Sequence, residues 1–295
     1  MKSLYSNLNL MSMVSALNEH FAAYFHEATR PMRSLLCGIV LAMLAFESIP
    51  SIRWMHRRFH LSLMPGSLNS YYRALKTCTV DDSSWVSHTI RMALSAIPSD
   101  LADAPLFLSV DDTIVAKAGQ CFDFVSKLFD HAMHTGSAYV NGHCFVSLML
   151  SVPVDKDMKG GCSGGICYLH VPVVYCLWTK EKTKLEMAAD AIDAVYERKT
   201  FWSLGRYMLR RRCGIERLLN LICMAHASMR LLPYVDTRFT RFKECSPQEV
   251  RMAISKQIQD ELFLSRLADE ASNTINSADI LSVLRDMVKH WNNAA

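Results

Sequence analysis

The stretch Leu106-Phe107-Leu108-Ser109-Val110-Asp111-Asp112-Thr113, followed at once by Ile114-Val115-Ala116-Lys117-Ala118-Gly119, decides how this chain is read. Its first half is apolar and rich in residues that favour a pleated, half-buried surface, so it reads as a β-strand. The strand is expected to end at two adjacent carboxylates and a hydroxyl. A group at a strand's end is held firmly while still reaching solvent, which is how a carboxylate is presented to a divalent cation. A pair of such cations, roughly 3.5–4 Å apart, is a common apparatus for phosphodiester chemistry. Asp111 and Asp112 are therefore the first candidate catalytic and metal-binding residues, and any further ligands must come from the rest of the chain.

Two more strand-like runs follow, His143–Val154 and Tyr168–Trp178, rich in Val, Leu, Phe and Tyr. Stretches carrying Gly, Asp and Lys separate them, so the three runs predict an antiparallel meander. The flanks are helical in pattern. Residues 11–48 carry apolar side chains at helical spacing, broken by Pro31 and closed by Pro50. Ser51 precedes a short basic helix through Phe59, Pro65-Gly66 marks a turn, and Ser67 caps a further helix. A helix is expected over 183–195. From Tyr196 onward the pattern is again helical, with breaks at Pro233 and Pro247 and with Ser246 or Ser277 as caps. The expected organisation is α+β: a helical N-terminal region over 1–100, a strand-bearing core over 101–195 and a helical C-terminal region over 196–295.

Length and composition set the bounds. The 295 residues are 51% hydrophobic and 20% charged, which suits a globular chain with a sizeable core. The net charge of +4 permits a nucleic-acid partner without demanding one. Its distribution says more. Arg53, Arg57, Arg58, Arg73 and Lys76 cluster early, and Arg210, Arg211 and Arg212 cluster late. Clustered base is what a phosphate backbone answers to, and three short helices with a tight turn and a basic face suit a DNA-binding module. A solvated basic face on a packing domain is the plain alternative.

The ten cysteines show no secreted framework and read as reduced residues of a cytosolic protein. Cys162 and Cys167 have no second pair at finger spacing, so no zinc is expected. The N-terminus lacks an unbroken apolar signal core, and the run Leu35–Phe46 is too short to span a bilayer, so no membrane partner is expected. The apolar segment Gly214–Tyr234 reads as core or as a homodimer interface.

With these residues in view, the segment Asp111–Val154 resembles the DDE transposases of bacterial insertion sequences. The matching features are Asp111-Asp112-Thr113, Lys117-x-Gly119, Asp130-His131 and Gly142-His143 leading into an apolar strand. Similarity extends to Ser48–Arg53 and Ser67–Tyr72, to Lys182–Ala189, and to Tyr196–Trp202 and Tyr207–Arg210. The resemblance implies a ribonuclease H-like core and a transposition function. It also implies Mg2+ or Mn2+ as cofactor, held by Asp112 with Asp111 as the lesser candidate. It implies double-stranded DNA at transposon ends as partner and a bacterial cytoplasmic, nucleoid-associated location.

The resemblance exposes a gap. The family places a second metal-binding aspartate at the end of a fourth strand, after the helix that begins Lys184-Leu185-Glu186. An insertion, a further strand and a helix bearing a glutamate follow. Here that helix runs straight into Tyr196-Glu197-Arg198-Lys199, as an internal deletion near Ala194–Tyr196 would leave it. The ribonuclease H-like core is thus expected to be truncated, with about three antiparallel strands. Asp190, Asp193, Glu197 and Glu216 are the available substitutes, each read first as a solvated helical acid. A hard divalent cation needs several converging oxygens, and one strand supplies only part of that set. Three readings follow: a transposase active alone or with a partner, a catalytically dead DNA-binding regulator, and a non-functional fragment.

Overall fold

The computed structural model describes residues 12–46, 51–60, 62–77, 82–118, 122–129, 138–157, 165–192 and 212–273. Five helices come first: α1 (Ser12–Tyr24), α2 (Arg30–Leu44), α3 (Ile52–Phe59), α4 (Leu68–Thr77) and α5 (Asp82–Ser95). A single helical turn at Ser99–Leu101 leads into the strands β1 (Phe107–Ala116), β2 (Ser126–Phe129), β3 (Tyr139–Asp157) and β4 (Gly165–Leu177). Then come α6 (Lys184–Ile192), α7 (Arg212–Val235), a 3-10 segment (Thr237–Phe242) and α8 (Pro247–Asn273). The fold is α+β, with one small antiparallel sheet of four strands.

Local chemistry accounts for most boundaries. Pro31 sits at the start of α2, where its missing N–H costs nothing. Ser51 accepts from the Trp54 amide at the head of α3, and Ser67 accepts from the Ser70 amide at the head of α4. Between them Gly66 takes φ +115°, a left-handed value that favours glycine. Two reciprocal capping boxes open later helices, Thr183 with Glu186 on α6 and Ser246 with Glu249 on α8. The alternative cap Ser277 lies outside the described residues. Pro233 does not break its helix: it lies inside α7, which runs two residues further to Val235. So near the C-terminus a proline removes only one late backbone bond.

The sheet departs from the expected meander in two ways. The short β2 joins as a fourth strand, pairing with the start of β3. And β3, at 19 residues, is the strand that every other one pairs with. Its Phe145 faces Thr113 of β1 on one side and Leu177 of β4 on the other. A middle strand is covered on both edges and both faces, which is why Gly142–Leu148 are buried without alternation. Two prolines fall inside this pairing, Pro153 on β3 and Pro172 on β4. Each adjoins one of the two register shifts between those strands. A proline cannot donate to the ladder, so it is tolerated where the ladder slips.

One apolar cluster runs from Leu17, Phe21 and Phe25 of α1 through α2 to Leu219 and Ile222 of α7, and takes in Phe145 and Tyr175 of the sheet. It therefore crosses the expected region limits at residues 100 and 195. A second cluster joins Val146, Leu148 and Val171 to Ala93, Ala188 and Ala227. Within α7, Cys213–Val235 is long and apolar enough to cross a membrane by length and composition. However, 83% of its most apolar window is buried inside the protein, so its apolarity goes into the core.

The last helix ties the two ends of the chain together. Glu261 accepts from the Met13 and Val14 amides, two of the orphan donors at the head of α1. Earlier on the same helix, Gln259 and Ser255 donate to the Ala45 carbonyl, and Arg251 donates to that of Met43, just past and within the end of α2.

Candidate functional site: the strand carboxylates and the basic helices

Asp111 and Asp112 lie in the middle of β1, not at its end, because the strand continues through Ala116. The residues after the acids explain this: Thr113, Ile114 and Val115 are β-branched and favour extended backbone. Within a strand, successive side chains point to opposite faces. The neighbouring acids therefore cannot converge as two ligands of one cation. Asp111 shares its face with Ser147, its cross-strand partner, whose hydroxyl donates to the Asp111 carbonyl at 3.4 Å. Asp112 pairs with Val146 and faces α6.

Around Asp112 the structure gathers three residues from distant parts of the chain. Lys184, the first residue of α6, makes an ion pair with Asp112 Oδ2 through its ammonium. The Cys144 thiol donates to the same oxygen at 3.5 Å. The Lys184 ammonium also lies 5.5 Å from the ring centre of Trp178. Trp178 is itself fixed, its backbone amide donating to the Cys144 carbonyl and its indole N–H to the Lys182 carbonyl. Burial pushes the Cys144 thiol up to about 11, so it is neutral and behaves as a small apolar donor. Burial also works against the Lys184 charge, but the hydrogen bond that it donates to Asp112 and the neighbouring thiol outweigh burial and raise its pKa.

The two other motif residues near β1 have structural surroundings. His143 is wholly buried, with Nε2 2.9 Å from the Asp123 carbonyl. A carbonyl only accepts, so Nε2 carries the proton. Burial, the largest influence on it, lowers its pKa. Phe122 and Phe145 stand edge-on to the ring. Lys117 is half-buried beside the Phe122 ring, and burial lowers its pKa to about 8. At Gly142 the backbone of β1 leaves no room for a side chain: a Cβ there would lie 2.5 Å from the Val115 carbonyl oxygen.

The implied divalent cation does not fit what the described residues offer. The two acids face apart, Asp112 Oδ2 already holds an ammonium and a thiol, and no group of three His, Cys, Asp or Glu side chains that could hold a metal forms among the described residues. Of the proposed substitutes, Glu216 sits on α7, while Asp193, Glu197 and the Asp190 side chain lie outside the described residues. Asp130 and His131 lie outside them too.

The early basic residues are presented by an anchored scaffold. The helix α3 buries Ile52, Met55 and Phe59 and leaves Arg53 and Arg57 exposed, with Arg58 half-buried. Next in sequence, α4 buries Tyr71, Ala74 and Leu75 and leaves Arg73 and Lys76 exposed. The intervening turn is held from both sides, by His56 Nε2 against the Gly66 carbonyl at 2.8 Å and by the Tyr71 hydroxyl donating to the Pro65 carbonyl at 2.9 Å. Arg217 of α7 donates to the Leu75 carbonyl at the end of α4. Of the late cluster, Arg210 and Arg211 lie outside the described residues and Arg212 begins α7.

Sequence reasoning found the acids and the basic run but missed Lys184, Cys144 and Trp178. The expected helix over 183–195 already puts Lys184 in its first turn, and the Thr183-x-x-Glu186 pattern agrees. Nothing local says that it meets an acid 72 positions earlier. No family model, no curated protein and no solved structure matches the chain.

Proposed function

We propose that this chain is a DNA-binding protein of DDE-transposase descent that does not cut DNA by itself. The observation that carries the reading is the α3–turn–α4 unit, which is anchored by its apolar faces and turn bonds and displays Arg53, Arg57, Arg73 and Lys76. Long cations on a fixed frame suit the phosphates of double-stranded DNA. The ribonuclease H-like part of the reading is supported by strand order. Three long antiparallel strands run β4-β3-β1, and among the described residues β1 is hydrogen-bonded to β3 alone. A ribonuclease H-like sheet that lost its later strands would leave its first strand on such an edge. The continuous core joining α1 and α2 to α7 and α8 favours a folded binder over a non-functional fragment. On this reading the site of action is transposon-end DNA in a bacterial cytoplasm, and any Mg2+ or Mn2+ chemistry needs carboxylates beyond Asp111 and Asp112.

The test is a gel-shift titration of the full chain on duplex DNA across a range of salt. Binding should weaken steeply with salt, and Arg53→Ala with Arg57→Ala together should reduce the log–log slope by about 2. Absence of binding, or a salt slope that the double variant leaves unchanged, would refute the proposal. Mn2+-dependent cleavage that Asp112→Ala abolishes would overturn its non-catalytic half.

A further inference from the structure

The cation that Asp112 holds is an ammonium. Lys184 stands at the first position of α6, where the helix's own amides already present positive charge. A lysine there is disfavoured unless an anion offsets it, and Asp112 is that anion. The position is built from three directions. The capping box of Thr183 and Glu186 fixes the start of the helix. The Trp178 ring lies under the ammonium, and the Cys144 thiol occupies the same carboxylate oxygen. Trp178 and Cys144 are themselves joined by a backbone hydrogen bond of 2.8 Å.

The plain alternative is an incidental surface pair. Both side chains are partly exposed, 39% for Lys184 and 42% for Asp112, and pairs so exposed contribute little to stability. Stability is therefore not what the pair supplies. It occupies a carboxylate oxygen that a metal would need. We propose that Lys184 takes the place of a divalent cation at Asp112: its ammonium supplies the positive charge beside the carboxylate and closes Oδ2 to metal. Naming the displaced ion as a divalent metal rests on the transposase reading, whereas the ion pair does not.

The experiment uses the full chain, without DNA, so its failure is separate from that of the gel shift. Mn2+ is the probe, followed by electron paramagnetic resonance of free Mn2+ and by thermal melting in EDTA or Mn2+. The wild-type protein should melt at the same temperature in both. Lys184→Met should open Asp112 to Mn2+ as a weak, mostly hydrated site that the wild type lacks. Adding Asp112→Asn to that variant should abolish the gain. A Lys184→Met protein that binds Mn2+ no better than wild type overturns the proposal. Should that variant fail to fold, Asp112→Asn alone decides. It should leave the amount of Mn2+ bound by an otherwise wild-type chain unchanged, and a loss would show that Asp112 holds metal despite the lysine.

Discussion

At the scale of single residues, the carboxylate pair and the glycine beside it show how much a side chain's meaning depends on its strand. Asp111 and Asp112 look like a unit in the sequence, but the pleat separates them, and Asp112 meets the Lys184 ammonium on its own face. In the sequence Gly142 stands out only as part of the Gly142-His143 feature that resembles the transposase family. Its actual role is steric, since β1 passes too close for any Cβ. Gly142→Ala should therefore force the two strands apart and destabilise the protein by about 2–3 kcal/mol. Chemical denaturation would measure this, and an unchanged midpoint would refute it. This contact was not legible in advance, because it is set by the Val115 carbonyl on another strand.

At the scale of elements, the helices and strands were largely legible, because their signals are local. The caps Ser51, Ser67, Thr183 and Ser246 act within three residues of themselves, and the apolar periodicity of α3 predicts the face it buries. The short β2 escaped notice, since four residues carry too little pattern, and the long β3 was read only in its apolar part. What α8 does was also hidden. Its carboxylate at Glu261 satisfies two amides of α1 across 248 and 247 positions. Glu261→Ala should leave those buried donors unpaired and cost about 1–3 kcal/mol, read as a lower melting temperature. Ala at 261 melting with the wild type would mean that α1 finds other acceptors.

At the scale of the whole molecule, the helical layer contains a titratable joint. His20 of α1 lies with Nε2 2.9 Å from the Ser228 hydroxyl of α7, and its ring meets the edge of Tyr24. His88 of α5 stacks on the same Tyr24, whose hydroxyl accepts from Thr89. Burial, reinforced by the charge of His88 and only partly opposed by Asp236, lowers the His20 pKa from 6.5 to about 4. The unfolded chain then takes up a proton more readily than the folded one. Stability is fully present above pH 6.5 and is lost as pH falls toward about 4. The loss from His20 should be about 2 kcal/mol, allowing for the ring's partial exposure. His88, also lowered, acts in the same direction. Melting curves between neutral and mildly acid pH would check this, and His20→Gln should flatten the dependence.

The sequence by itself determined the strand-forming and helix-forming segments, the caps and the basic run, because periodicity and capping act over a few residues and need no partner. The tertiary structure alone decided which side of the sheet each acid faces, that α7 is core, that α8 closes on α1 and α2, and that Lys184 reaches Asp112. Each of these is a meeting of groups far apart in the chain. Such meetings are fixed by packing and pairing register, and no local pattern encodes them.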